Sequence, residues 1–217
     1  MRIDDREFVP FVLGMPRFVS AWAERSPLDG TRLLDVLAPE HAGFFDRLNR
    51  GNAIAYGEHA MPAWVQLDCV TMPSAMIGFA LRHADVPADL RASFGDALDG
   101  IAADALVPVA EYGAVCTPEA GTVVGFSLYA LLPGLRLGVR AKALALLLMG
   151  ARRQVGITRR EGAVRRAHEV FGPLRVLADQ PAVHPNGADT IVYELDVPDR
   201  AVLESMVRTG ARPSPDA

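Results

Sequence analysis

The sequence predicts an α+β fold, with a mixed and mainly antiparallel central sheet flanked by helices. Three observations predict it. Apolar residues recur at helical spacing through the first fifty positions, the period shortens to that of strands from residue 53, and helical and strand-like segments alternate beyond Leu131. At 217 residues, half of them hydrophobic, the chain can bury one sizeable core. The expected organisation is a single domain over residues 1–210, with a helical part (1–50), a strand-rich part (51–132) and an alternating part (133–210). Residues 211–217, Pro-rich and polar, are expected to be a frayed tail.

Phe8, Phe11, Val12, Met15, Phe18, Val19 and Trp22 stand three and four apart, the spacing of one helix face, with Pro10 and Pro16 limiting that helix. A second helix is expected over 31–50, carrying Leu33, Leu34, Leu37, Phe44, Phe45 and Leu48 and divided near Pro39. Segments 53–56, 64–70 and 75–81 read as strands separated by Gly57, Met61-Pro62 and Met72-Pro73-Ser74, with Trp64 as a core anchor. Residues 88–103 form a helix or a long connection. Strands follow at 106–116 and 122–131 around the turn Thr117-Pro-Glu-Ala-Gly121. Cys69 and Cys116 each stand nine residues before a Gly-Phe pair, which is compatible with duplicated hairpins or with convergence. A helix over 138–153, a strand over 154–158, a helix over 161–171 closed by Gly172-Pro173, strands at 174–177 and 190–195 and a helix over 200–208 complete the chain.

Charge is unevenly spread. Residues 1–119 hold 17 acids and 9 bases, residues 120–160 hold seven bases and no acid, and residues 161–217 hold 9 acids and 6 bases. An acidic protein with one basic stretch points to a local site for a small anionic ligand and away from a nucleic-acid surface. No apolar run reaches the ~20 residues of a membrane span, and acids in the opening Met-Arg-Ile-Asp-Asp-Arg-Glu oppose a leader peptide, so a cytoplasmic protein without membrane contact is expected. Two cysteines and dispersed histidines (His41, His59, His83, His184) give no metal-ligand spacing. Oligomeric state is open, and a homodimer is compatible with the sequence.

The basic stretch centres on Leu131-Leu-Pro-Gly-Leu-Arg-Leu-Gly-Val-Arg-Ala-Lys-Ala-Leu144. A strand runs through a glycine-containing loop into a helix start, where unpaired N–H groups and the dipole attract anions. Arg136, Gly138, Arg140 and Lys142 would add charge and close backbone approach there. Alternatively the loop is an ordinary turn whose basic side chains reach water. Lys142, the sole lysine among 22 basic residues, also admits a Schiff-base enzyme if apolar neighbours and nearby cations lower its pKa.

The element order over about residues 106–198 resembles the C-terminal two-thirds of the GNAT-type N-acyltransferase superfamily, in which a strand–loop–helix unit holds the pyrophosphate of acyl-CoA. The family's loop is Arg or Gln, two residues, Gly, one residue, then Gly or Ala. Arg136 and Ala141 match it, Val139 occupies the central glycine position, Gly138 comes one residue early, and Pro133 and Leu144 fit the flanks. Ala163, His168 and Phe171-Gly172 stand where the family carries an alanine, a tyrosine general acid and Gly-Phe. The N-terminal half departs from the pattern, with several strands expected where the family has one strand and two helices. The resemblance implies acyl-CoA as co-substrate rather than a resident cofactor, held on the N–H groups of residues 138–142. It implies His168 as general acid and Glu111 as base, because the strand over 122–131 has no ionisable residue besides Tyr129. Two activities follow as expectations: transfer of an acyl group from CoA to an amine, or non-catalytic retention of an anionic ligand on the same helix start.

Overall fold

A computed structural model describes residues 1–180 and 189–214. His184 and residues 215–217 of the expected tail lie outside the described residues. The centre is an eight-stranded sheet. In chain order its strands are β3 (Val9–Gly14), β4 (Arg32–Asp35), β5 (Ser74–Arg82), β6 (Leu106–Cys116), β7 (Thr122–Ala130), β8 (Arg153–Arg159), β9 (Arg175–Gln180) and β10 (Thr190–Asp196). Two short strands, β1 (Arg2–Ile3) and β2 (Arg6–Glu7), pair separately ahead of them. The spatial order is β4-β3-β5-β6-β7-β8-β10-β9. Only β3/β4 and β7/β8 run parallel, so the sheet is mixed and mainly antiparallel, as the sequence predicts.

Helices cover both faces. Helix α5 (Leu137–Leu148) packs on β5 and β6 and against α7 (Arg200–Thr209), in a cluster that also takes Val19 of α1 (Pro16–Glu24). Nearly all of α5 is buried, its two charged side chains Arg140 and Lys142 included. Helices α2 (Pro39–Tyr56) and α3 (Ala63–Val70) cover the opposite face, where Phe44, Leu48 and Val70 pack on Phe11, Leu13 and Met76. Helix α4 (Ala88–Phe94) closes the connection from β5 to β6, and α6 (Ala163–Glu169) lies beside β8 and α5. Among the described residues no helix is long and apolar enough to cross a membrane.

The C-terminal half follows the sequence reading closely, and the N-terminal half corrects it. Residues 9–14, expected as the first part of a helix, form β3, with Phe11, Val12 and Leu13 fully buried between two neighbouring strands. A strand buried on both faces loses its period-two alternation, so its apolar run imitates a helix face. Gly14 makes the tight passage into α1, since a Cβ there would stand 2.8 Å from Val19 Cγ1 and 3.0 Å from the Ser74 carbonyl oxygen. Residues 32–35 are the edge strand β4, and Pro39 opens α2 instead of dividing it. Proline is preorganised for a first helical position because it needs no N–H partner there. The expected strands over 53–56 and 64–70 are the end of α2 and all of α3, with Trp64 exposed. Cys69 therefore sits on a helix and Cys116 ends a strand, which removes the basis for duplicated hairpins.

Candidate functional site

Parallel strands β7 and β8 share only three register pairs, Thr122–Val124 with Arg153–Val155. Beyond these the strands part, and a cavity of about 610 Å³ opens between Gly125–Leu128 and Gln154–Arg159. The ladder between β6 and β7 slips at the same place. Gly113 pairs with Ser127 and Ala114 with Gly125, so Phe126 is an extra residue with no partner across the ladder. A bulge of this kind bends a strand and re-aims its side chains, and here it turns Phe126 and Ser127 toward the cavity. The lining is mostly apolar, with Met61, Val155, Ile157, Val164 and Val192 among its members.

Two polar systems adjoin this apolar space. The first begins at Glu111, which is fully buried on β6. The Ser127 hydroxyl donates to Glu111 Oε1 and accepts from Asn52 Nδ2 at 3.2 Å, while Asn52 Oδ1 accepts from the Met61 N–H at 3.0 Å. Glu111 Oε2 has no hydrogen-bond partner. Burial pushes the Glu111 carboxyl up to about 7, partly offset by the Ser127 bond. That bond favours the carboxylate, and desolvation opposes it more strongly. Ser127 and Asn52 both line the cavity, so a proton has a path between the cavity and Glu111 through one hydroxyl. Above them the Tyr56 hydroxyl donates to the Leu128 carbonyl.

The second system runs through the opposite face. Gln154 Nε2 donates to the Tyr193 hydroxyl at 2.7 Å, and that hydroxyl lies 3.0 Å from His168 Nδ1. Lys142 Nζ approaches the same Nδ1 at 2.7 Å. His168, Tyr193, Gln154 and Tyr112 line the cavity, whereas Lys142 lies behind them. Gln154 Oε1 is buried in this wall without a partner, and the Tyr112 hydroxyl stands next to the Gln154 amide. Burial, then the nearby Lys142 charge, holds His168 well below its usual pKa, and burial alone holds Lys142 well below that of a free lysine.

The cationic helix start is more dispersed than the sequence implies. Arg136 is exposed at the N-cap of α5, in a left-handed conformation (φ 52°). Arg140 turns away: its guanidinium donates to the carbonyls of Leu135, Val207 and Arg208, tying α5 to the end of α7. Lys142 points into the core, and Val139 and Ala141 are buried. What remains at the helix start is backbone. The Arg140 N–H makes the first intrahelical bond, to the Arg136 carbonyl, and the N–H groups of Leu137, Gly138 and Val139 have no partner among the described residues. Gly138 faces Leu128 and Ala130, so this helix start adjoins the end of β7 that lines the cavity. Of the site residues singled out in the sequence, only His168 lines this cavity; Glu111 lies behind Ser127, and Arg136, Gly138, Val139, Arg140, Ala141 and Lys142 stand outside the lining. Asn52, Ser127, Gln154 and Tyr193 were missed. A glutamine at the start of the Val-Gly-Ile strand and a tyrosine inside Ile-Val-Tyr-Glu-Leu were the available signals, being polar groups within strands otherwise read as core. Among the described residues no three His, Cys, Asp or Glu side chains come together as a metal site.

Neither protein-family models nor curated protein sequences match the chain. Solved structures do resemble it. The NatC complex bound to Gag peptide and CoA superposes with a TM-score of 0.54 at 10% identity, over 75% of this chain and 96% of that one. The ribosomal-protein-S18-alanine N-acetyltransferase from Escherichia coli superposes with a TM-score of 0.50 at 10% identity, over 71% of this chain and 88% of that one. The chain has the GNAT-type N-acyltransferase fold. The likeness spans three quarters of the chain, well beyond the stretch 106–198 where the sequence resemblance lay.

Proposed function

We propose that this protein is an acyl-CoA-dependent N-acyltransferase whose reaction takes place in the cavity between β7 and β8. The observation that carries the reading is the parting of two parallel strands after three register pairs, next to a helix start with unpartnered N–H groups. Separated strands offer free backbone donors and acceptors on facing edges, and an extended amide-bearing chain such as pantetheine can pair with them. The pyrophosphate then falls to the N–H groups of residues 137–139, with Arg136 beside them.

Direct attack of an amine on a thioester needs a base for the ammonium proton and an acid for the departing thiolate. Glu111, acting through Ser127, suits the first role, because a group with a pKa near the working pH both accepts and returns protons readily. His168 is placed for the second, since its ring borders the cavity and a neutral imidazole still carries one N–H. The acceptor amine is not identified by these features.

The test is a thermal-shift titration with acetyl-CoA and longer acyl-CoAs, followed by turnover against a panel of amines. A ligand at ~100 times its dissociation constant adds about 2.7 kcal/mol of stability, so specific binding raises the melting temperature measurably. No shift with any CoA ester would remove the acyltransferase reading. A shift without turnover would favour a binding protein that holds an anionic ligand, a reading supported by Val139 in the family's glycine position and by Arg140 and Lys142 being engaged elsewhere.

A further inference from the structure

Lys142 is the only lysine in the chain, and it is fully buried. It makes no ion pair among the described residues; its Nζ sits 4.4 Å from the Phe171 ring centroid, 5.9 Å from that of Tyr193 and 6.0 Å from that of Tyr112. Among the described residues its hydrogen-bond partner is His168 Nδ1. Three aromatic faces favour an ammonium and burial opposes it. An arginine-rich chain that keeps a single lysine at such a position uses the group that can lose a proton, which a guanidinium does not.

Protonation of Lys142 would set the direction of these hydrogen bonds, because an ammonium only donates. Nδ1 then becomes an acceptor, and the Tyr193 hydroxyl, which accepts from Gln154, turns its own hydrogen toward the same Nδ1. The ring proton then resides on Nε2, which bonds to no described residue. His168 borders the cavity, so its Nε2–H is the end of the chain that a ligand can meet.

We propose that Lys142 is a positioning residue for acyl transfer, fixing His168 as the Nε2–H tautomer and replacing through Nδ1 the proton that Nε2 gives up. This rests on the acyltransferase reading. In the step, the His168 Nε2–H bond breaks as an S–H bond forms on the departing CoA thiolate. One Lys142 N–H bond breaks as the Nδ1–H bond forms. The ammonium becomes a neutral amine, the imidazole stays neutral as its other tautomer, and the negative charge on sulfur is discharged. Besides His168, the titratable groups facing Lys142 are Tyr112 from β6 and Tyr193 from β10. Burial, then the Lys142 charge, depress His168, which keeps the imidazole neutral.

The test compares the wild-type chain with Lys142→Met, which fills the same space among the three rings. Exchange of a buried charge for an apolar side chain is often neutral or stabilising, so the variant folds. Imidazole nitrogen NMR of His168 is the readout that does not depend on activity. The wild type shows a neutral ring with Nδ1 unprotonated through neutral pH, and Lys142→Met moves the His168 titration upward. With acyl-CoA, the variant keeps the wild-type thermal shift and KM for acyl-CoA, while kcat falls ~10²-fold and its alkaline limb moves. An Nδ1–H ring in the wild type, a titration unchanged in the variant, or a variant matching the wild-type kcat and pH profile overturns the proposal. A wild-type protein that binds no acyl-CoA ends the parent reading and this one together. One that turns over as fast with methionine at position 142 ends only this one.

Discussion

Glu111 and Lys142 make an instructive pair: opposite in charge, both fully buried, and set on opposite faces of the same sheet. Tyr112 packs toward Lys142 on the α5 face, and its neighbour Glu111 points by strand alternation to the α2 face, where Ser127 and Asn52 meet it. Neither group is paired with the other, and desolvation drives both toward neutrality, the carboxyl up to about 7 and the amine well down. Each reaches the cavity through an intermediary, a serine hydroxyl on one side and an imidazole on the other. Both faces open to one space where β7 and β8 part. On the proposed reading, a proton acceptor and a proton donor approach the same bound molecule from two sides without forming a salt bridge that would quench both.

The largest effect that would break this comparison concerns rate. Glu111→Gln keeps the shape and a hydrogen bond to Ser127 but cannot take a proton. With an accepted amine, thiol release from acetyl-CoA is expected to fall ~10²-fold or more in kcat, with little change in KM for acetyl-CoA. A variant as fast as the wild type would show that Glu111 is only a buried carboxyl.

Stability should depend on pH in opposite senses for the two groups. Glu111 has a raised folded-state pKa, so between about 4.5 and about 7 the folded chain holds the proton that the unfolded chain has lost. Its contribution is fully present at low pH and is lost as pH rises through 7. A shift of this size corresponds to about 3 kcal/mol, which Glu111→Gln should recover above pH 7. Lys142 has a lowered folded-state pKa, so its contribution is lost as pH falls below 10.5, and Lys142→Met should be more stable than wild type at neutral pH. Urea midpoints across pH for both variants check the signs. Equal slopes for the two would contradict the opposite shifts.

The half of the chain that was legible in the sequence is the half with local punctuation. Thr117–Gly121, Pro133-Gly134 and Gly172-Pro173 mark ends that β6, β7, α5 and α6 observe within a few residues. The N-terminal half has comparable prolines, but Pro39 opens a helix and Pro10 sits within a strand, so the same residue gave a misleading stop. Strand β3 shows why apolar period fails for a segment buried on two faces. In the candidate site, His168 and Glu111 were readable as ionisable residues in plausible elements. Their connections were not. Ser127 reaches Glu111 only because the ladder slips at Phe126, and Lys142 reaches His168 only because α5 packs on the face that Tyr112 presents. Both are facts of register and packing, which long-range pairing fixes and residue spacing does not.

The smallest effect sharpens the comparison most, because it separates burial from hydrogen bonding at Glu111. Burial raises the carboxyl and the Ser127 bond lowers it. Ser127→Ala removes the lowering influence and, with it, the hydroxyl that links Glu111 to the cavity, so the readout is the carboxyl itself and not the rate. The loss of one hydrogen bond to a charged group is worth roughly 1.5–3 kcal/mol, of which part is returned by the neutral form. The Glu111 carboxyl should therefore titrate about one unit higher, followed by carboxyl-region NMR. The His168 ring, on the other face beside Lys142, should keep its wild-type imidazole NMR signature. If both respond together, the two systems are coupled through the cavity and do not act as separate acid and base.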